Sequence, residues 1–161
     1  MASDIFLKLG DIKGESEDSK HKGEIEIASY SWGVSQPGSM HAGGGGGVGR
    51  ASFQDFHFVH SVDKASPNLL KLCATGEHVK DATLTVRKAG KGQQEYLIVK
   101  LNDVIVTSVQ NGGQGTDGSQ LTEQFSLQPA RIDFEYKPQK ADGSLEGGIP
   151  FKYDVKQNKE G

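Results

Sequence analysis

Residues 95–109, EYLIVKLNDVIVTSV, carry more apolar side chains than one face of a strand can hold. Tyr96, Leu97, Ile98 and Val99 are apolar in succession, and so are Val104, Ile105 and Val106. A half-exposed strand alternates with period two, so this one is expected to be covered on both sides over part of its length. One cover would be a helix or an opposing sheet. The other would be a neighbouring copy of the chain, which makes Tyr96, Ile98, Val104 and Val106 candidates for a subunit interface.

Further short apolar runs separated by Gly, Asp, Asn and Pro clusters surround this strand. DIFLKLG opens the chain as a strand, and ATLTVRKAG, LTEQFSLQ, RIDFEYKPQ and PFKYDVKQ supply others. Between Gly14 and Gly23 the composition is Glu, Asp, Lys and Ser, that of a surface loop. In EIEIASYSWGVS the apolar positions move from odd (Ile25, Ile27) to even (Tyr30, Trp32, Val34). A bulge or change of sheet is therefore expected near 27–29. Beyond it one face is small and polar: Ser29, Ser31, Gly33 and Ser35. The segment ASFQDFHFVH reads as a strand with Phe56 and Phe58 on one face.

One helix is well marked. Ser66 is a suitable N-cap, Pro67 fits the first helical position, and Gly76 can take the left-handed conformation that ends it. Leu69, Leu72 and Cys73 form its buried stripe. The chain is thus mainly β with one short helix, and its 161 residues are expected to form one domain, 1–161. Leu, Ile, Val and Phe make up roughly 23 % of it, above the ~20 % that separates folded from disordered composition.

Several functions find no support. A net charge of −3 gives no basic surface for nucleic acid or anionic lipid. The single Cys73 excludes an intramolecular disulfide and a cysteine metal cluster. The N-terminus lacks the basic-then-apolar pattern of a cleaved signal, and no apolar run reaches the ~18 residues of a membrane span. GGGGVGRA imitates a phosphate loop but has Arg50 and Ala51 where Lys and a hydroxyl are needed, and it leads into a strand. His57 and His60 point to opposite faces of a strand and cannot share a metal. There is no G-x-S-x-G elbow. No catalytic residue, metal or cofactor is expected.

The feature left over is GSMHAGGGGGVG, residues 38–49. Ordering twelve such residues costs roughly 12–24 kcal/mol at 1–2 kcal/mol each, and glycine has no side chain whose burial could offset it. The loop either stays mobile or takes its shape from another copy or another protein. Gly38, Ser39, Met40, His41, Gly43, Gly44, Gly45, Gly46, Gly47 and Arg50 are the candidate contact residues. Repeated around a ring, such loops would act together through their effective concentration.

DIFLKLGDIKGES, SYSWGVSQPGSMHAGGGGG, DKASPNLLKLCATGEH, TLTVRKAG, EYLIVKLNDVIVTSV and YKPQKADGS occur in this order. Together they resemble the haemolysin-coregulated protein (Hcp) family, the tube component of bacterial type VI secretion systems. The resemblance implies β-barrel-like packing of two antiparallel sheets, one short flanking helix and a long Gly-rich extended loop. It further implies hexameric rings that stack into a tube, release from the cell without a cleaved signal peptide, and effector proteins carried in the lumen. Sheath, baseplate and spike proteins of the apparatus would be partners, and there would be no enzymatic activity. Within a ring, the small face Ser29, Ser31 and Ser35 would line the lumen. A phage-type tail tube without cargo export shares these features, and a monomeric β-barrel hydrolase or ligand-binding protein is the reading from another class.

Overall fold

The computed structural model describes residues 3–38, 49–90, 92–116 and 121–161. Two long strands form its spine, β8 (Glu95–Gly112) against β9 (Thr122–Tyr136), joined as an antiparallel hairpin. On the β8 side follow β7 (Val79–Lys88), β1 (Ser3–Leu9) and the short β2 (Ile25–Glu26). Both β10 (Ile149–Asp154) and β6 (Phe56–Ser61) pair with the other edge of β9, β6 at its first half and β10 at its second. β11 (Lys159–Glu160) continues beyond β10, and β3 (Ser29–Ser31) beyond β6. A separate ribbon pairs β4 (Val34–Ser35) with β5 (Ser52–Phe53). The fold is mainly β with a single helix among the described residues, and the packing is barrel-like without a closed ladder.

The doubly apolar run of β8 has a different cause from the one its sequence suggests. Leu97, Val99 and Leu101 are buried, and then Val104 and Val106 are, so the buried set changes parity across Asn102–Asp103. Pairing with β7 and β9 keeps its register through this point. Asp103 absorbs the change with φ 51°, a left-handed conformation that Asp tolerates better than most residues, and its Oδ1 lies 2.8 Å from His78 Nδ1. The neighbours change parity at the same level, from Ala82 to Val79 on β7 and from Ile132 to Pro129 on β9. A crease therefore runs across three strands.

Double coverage does occur on β1 and β7. Leu7, Leu84 and Val86 face the core, while Phe6, Thr85 and Arg87 on the opposite face are buried as well. Their cover is the segment after β1, which is no simple surface loop. Backbone bonds from Gly14 N to Gly23 O and from Ser16 N to Glu24 O fold it into a flap. His21 stacks on Phe6 with centroids 4.5 Å apart, and the Arg87 guanidinium lies 4.8 Å from the same ring. Asp18 and His21 belong in this flap because Arg87, Glu95 and Phe6 lie on the sheet below.

As the phase shift requires, the chain changes partner between Glu26 and Ser29. β2 pairs with β1, Ile27 N donates to Ile5 O, Ala28 N donates to Val59 O, and β3 pairs with β6. The stretches LTEQFSLQ and RIDFEYKPQ are one strand, not two. Pro129 sits at the level where β9 passes from β6 to β10. ASFQDFHFVH, in contrast, is broken into β5 and β6.

The helix α1 (Ser66–Thr75) packs on β8 through its buried stripe, with Leu69 and Leu72 inside. Its N-cap is Ala65 rather than Ser66 and makes no side-chain bond to the first turn; Asp63 instead holds the turn that leads into the helix. The Asp63 carboxylate accepts the Ala65 N–H at 2.8 Å, and Ser66 Oγ accepts the Asp63 N–H at 3.1 Å. Gly76 closes the helix at φ 70°, its N–H reaching Leu72 O at 3.0 Å. Beneath lie the aromatic rings Phe56, Phe58 and Phe125, with Phe58 and Phe125 stacked at 5.1 Å.

Candidate assembly and cargo surface

The small polar face seen in β3 extends across four strands. Tyr30, Phe58 and Phe125 point to the core, so the alternate positions of β3, β6 and β9 point outward. One cross-strand row runs Ser31, His57, Ser126 and Ser108; the next runs Ser29, Val59, Gln124 and Gln110. Of these eight side chains only His57 is ionisable. A bulge between Val106 and Ser108 sets Thr107 and Ser108 together against Ser126. Thr107 Oγ1 bonds Ser126 Oγ at 2.7 Å and Asp55 Oδ2 at 2.7 Å, and Gln128 Nε2 donates to Asp55 Oδ1 at 3.3 Å. The Asp55 carboxylate at this margin is thereby occupied. Ser126 itself is buried under these contacts, and the exposed members of the face offer hydroxyls and amides with no salt bridge to desolvate.

Ser29 and Ser31 share this face, but Ser35 does not, because it lies on the separate ribbon opposite Ser52. That ribbon has a firm base. Trp32 before it stacks on Phe56 at 4.6 Å, and Phe53 packs on Tyr153 at 4.9 Å. Arg50 Nη2 reaches Val155 O at 3.5 Å. Gly49 approaches Pro37 so closely that a Cβ on it would lie 2.5 Å from Pro37 Cγ. The two ends of the glycine loop are therefore held together on a paired stem. Gly38 and Arg50 are exposed; Ser39, Met40, His41 and Gly43 to Gly47 lie outside the described residues.

The four candidate interface residues of β8 divide. Val104 and Val106 are buried in the chain's own core, because the crease turns the even positions inward there. Tyr96 and Ile98 are half-buried, with Tyr96 Oη 2.8 Å from Ser3 Oγ. Sequence reading missed an exposed apolar pair at the same end of the sheet: Tyr136 on β9 stands directly opposite Ile149 on β10, and both are open to solvent. Ile149 follows two glycines, where no periodicity marks a strand.

No helix among the described residues is long and apolar enough to cross a membrane. A stemmed loop, open apolar residues and a wide uncharged wall are features of a β protein built for recognition and assembly. Residues 6–136 match the model of the family described as Type VI secretion system effector, Hcp, and the chain belongs to this family. It is a family of structural, secreted tube proteins of the type VI secretion system, not of enzymes. Protein hcp1 of Pseudomonas aeruginosa is 50 % identical over 160 residues, 98 % of each chain. The crystal structure of Hcp1 from Salmonella typhimurium aligns with a TM-score of 0.79 at 38 % identity, covering 99 % of both chains. A type VI secretion system effector from Yersinia pestis aligns with a TM-score of 0.76 at 36 % identity, over 94 % of this chain and 99 % of that one.

Proposed function

We propose that this chain assembles into hexameric rings which stack into the inner tube of the secretion apparatus, and that the ring lumen carries effector proteins. The observation that supports this most directly is the uncharged face spanning β3, β6, β9 and β8. As a lumen wall it keeps the channel wide and holds cargo by hydrogen bonds that many different proteins can make. The glycine loop on its stem serves as the contact to a neighbouring subunit or the next ring, where backbone can approach backbone closely. Tyr96 and Ile98 contribute to the contact between subunits. The protein begins in the cytoplasm, meets sheath, baseplate and spike proteins during assembly, and is then released from the cell.

Light scattering on the purified protein at dilute and high concentration tests the ring. A stable mass near six protomers is expected at both. A monomer throughout would remove the ring as a self-sufficient assembly.

A further inference from the structure

Where β6 runs into α1, the interior holds an ionisable cluster that neither the tube nor the cargo surface uses. His60 on β6 and Glu123 on β9 stand directly opposite in register, and both side chains are fully enclosed. His60 Nε2 lies 2.8 Å from Glu123 Oε1. Asn111 Nδ2, from β8, donates to Glu123 Oε2 at 3.2 Å. The other ring nitrogen, His60 Nδ1, has no hydrogen-bond partner and sits 3.7 Å from Oδ2 of Asp63, whose other oxygen accepts the Ala65 N–H in the turn before α1. Phe125 closes the side with a perpendicular ring at 5.1 Å.

The charged groups facing His60 are thus Glu123 from β9 and Asp63 from the turn before α1. β8 offers only an amide, and Phe125 offers no charge. A carboxylate buried as deeply as Glu123 is costly without a cation beside it, and among the described residues its ion-pair partner is this imidazole. With both nitrogens protonated, His60 donates to Glu123 and faces Asp63 with opposite charge. With one proton lost, either Glu123 loses its donor or a lone pair on Nδ1 faces the Asp63 carboxylate.

We propose that His60 is a proton-controlled latch, which while protonated ties the head of α1 to the Asn111–Glu123 end of the β8–β9 hairpin, and which lets both loosen when the proton leaves. Burial acts to lower the affinity of His60 for its proton, but the Asp63 carboxylate and the Glu123 bond outweigh it, so the net direction is upward. A raised value means that the latch is closed below the ordinary imidazole value of 6.5 and opens as pH rises through the folded-state midpoint.

The test is an NMR titration of the His60 ring in the full chain, together with amide exchange protection from pH 5 to 10. The expected midpoint lies above 6.5. Protection at Leu69 and at Glu123 should fall across it by about tenfold for each unit of elevation, while that of Leu84 in the sheet centre holds. Asp63→Asn keeps an oxygen for the Ala65 N–H and removes only the charge, so it should move the midpoint downward. A His60 midpoint at or below 6.5 would overturn the latch. So would protection at Leu69 that follows Leu84 through the titration, and the wild-type measurement decides this even if the variant does not fold.

Discussion

Asp18 grips Arg87 with both carboxylate oxygens: Oδ2 lies 2.9 Å from Nη1 while Oδ1 meets Nη2. The pair fastens the flap to β7, and Asp4 adds a second carboxylate at Nε, 3.3 Å away. Arg87 holds the Asp18 carboxyl down at about 2, from an ordinary 3.8. A depressed carboxyl contributes stability above its ordinary value and loses it as pH falls through the folded-state value. Asp18→Asn should therefore melt earlier than wild type at pH 5, with the difference shrinking steadily as pH falls to about 2 and vanishing below it. Melting curves across that range check it, and an undiminished difference at pH 2 would contradict the clamp.

Gly14→Ala should loosen the same flap by a steric route. A Cβ there would sit 2.5 Å from Glu24 O and 2.7 Å from Ile25 Cα, backbone atoms that cannot swing aside. The expected loss is about 1–3 kcal/mol in urea unfolding. Exchange protection at Ser16 should fall with it.

Phe58→Ala opens a hole between two neighbouring rings, since Phe58 packs on both Phe56 and Phe125. The cost should be about 3–5 kcal/mol. Ring assembly should persist wherever the fold does, because none of the three side chains reaches the surface.

These core features were legible in the sequence because they rest on local chemistry. Phe56 and Phe58 alternate on one strand, Leu69 and Leu72 share a helix face, and Gly76 terminates the helix. The odd-to-even shift at Ile27 announced the change of partner. What escaped reading depends on distant partners. Asp18 and His21 look like surface residues until Arg87 and Phe6 are placed beneath them. Asp103 gives no sign that it will turn a strand over, so Val104 and Val106 read as spare apolar surface when they are core. For the candidate surface, Ser29 and Ser31 mark one face of β3, but the width of that face depends on Gln124 and Ser108, which only the register brings alongside.

Ser31→Gln places a long amide on the β3 side of the uncharged face. Hexamers should remain intact while retention of an effector falls, measured by co-purification. Because the wall carries so little charge, effector retention by wild type should also change little between low and high salt. A steep salt dependence would point to a different cargo surface.

Deleting Gly43 to Gly47 should abolish tube formation, seen by electron microscopy. The stem around Pro37 and Gly49 predicts that the shortened protein still folds, with melting behaviour close to wild type. Unchanged tubes would show that the loop is not the contact between rings.

The segment Ile25–Ser31 has a consequence for solubility. An exposed strand edge is a template for runaway pairing between chains, and a long flat sheet has two of them. Here one short stretch lies along β1 with its first residues and along β6 with its last, so two edges are blunted by a single piece of chain. Both edges are thereby closed to uncontrolled pairing with other chains.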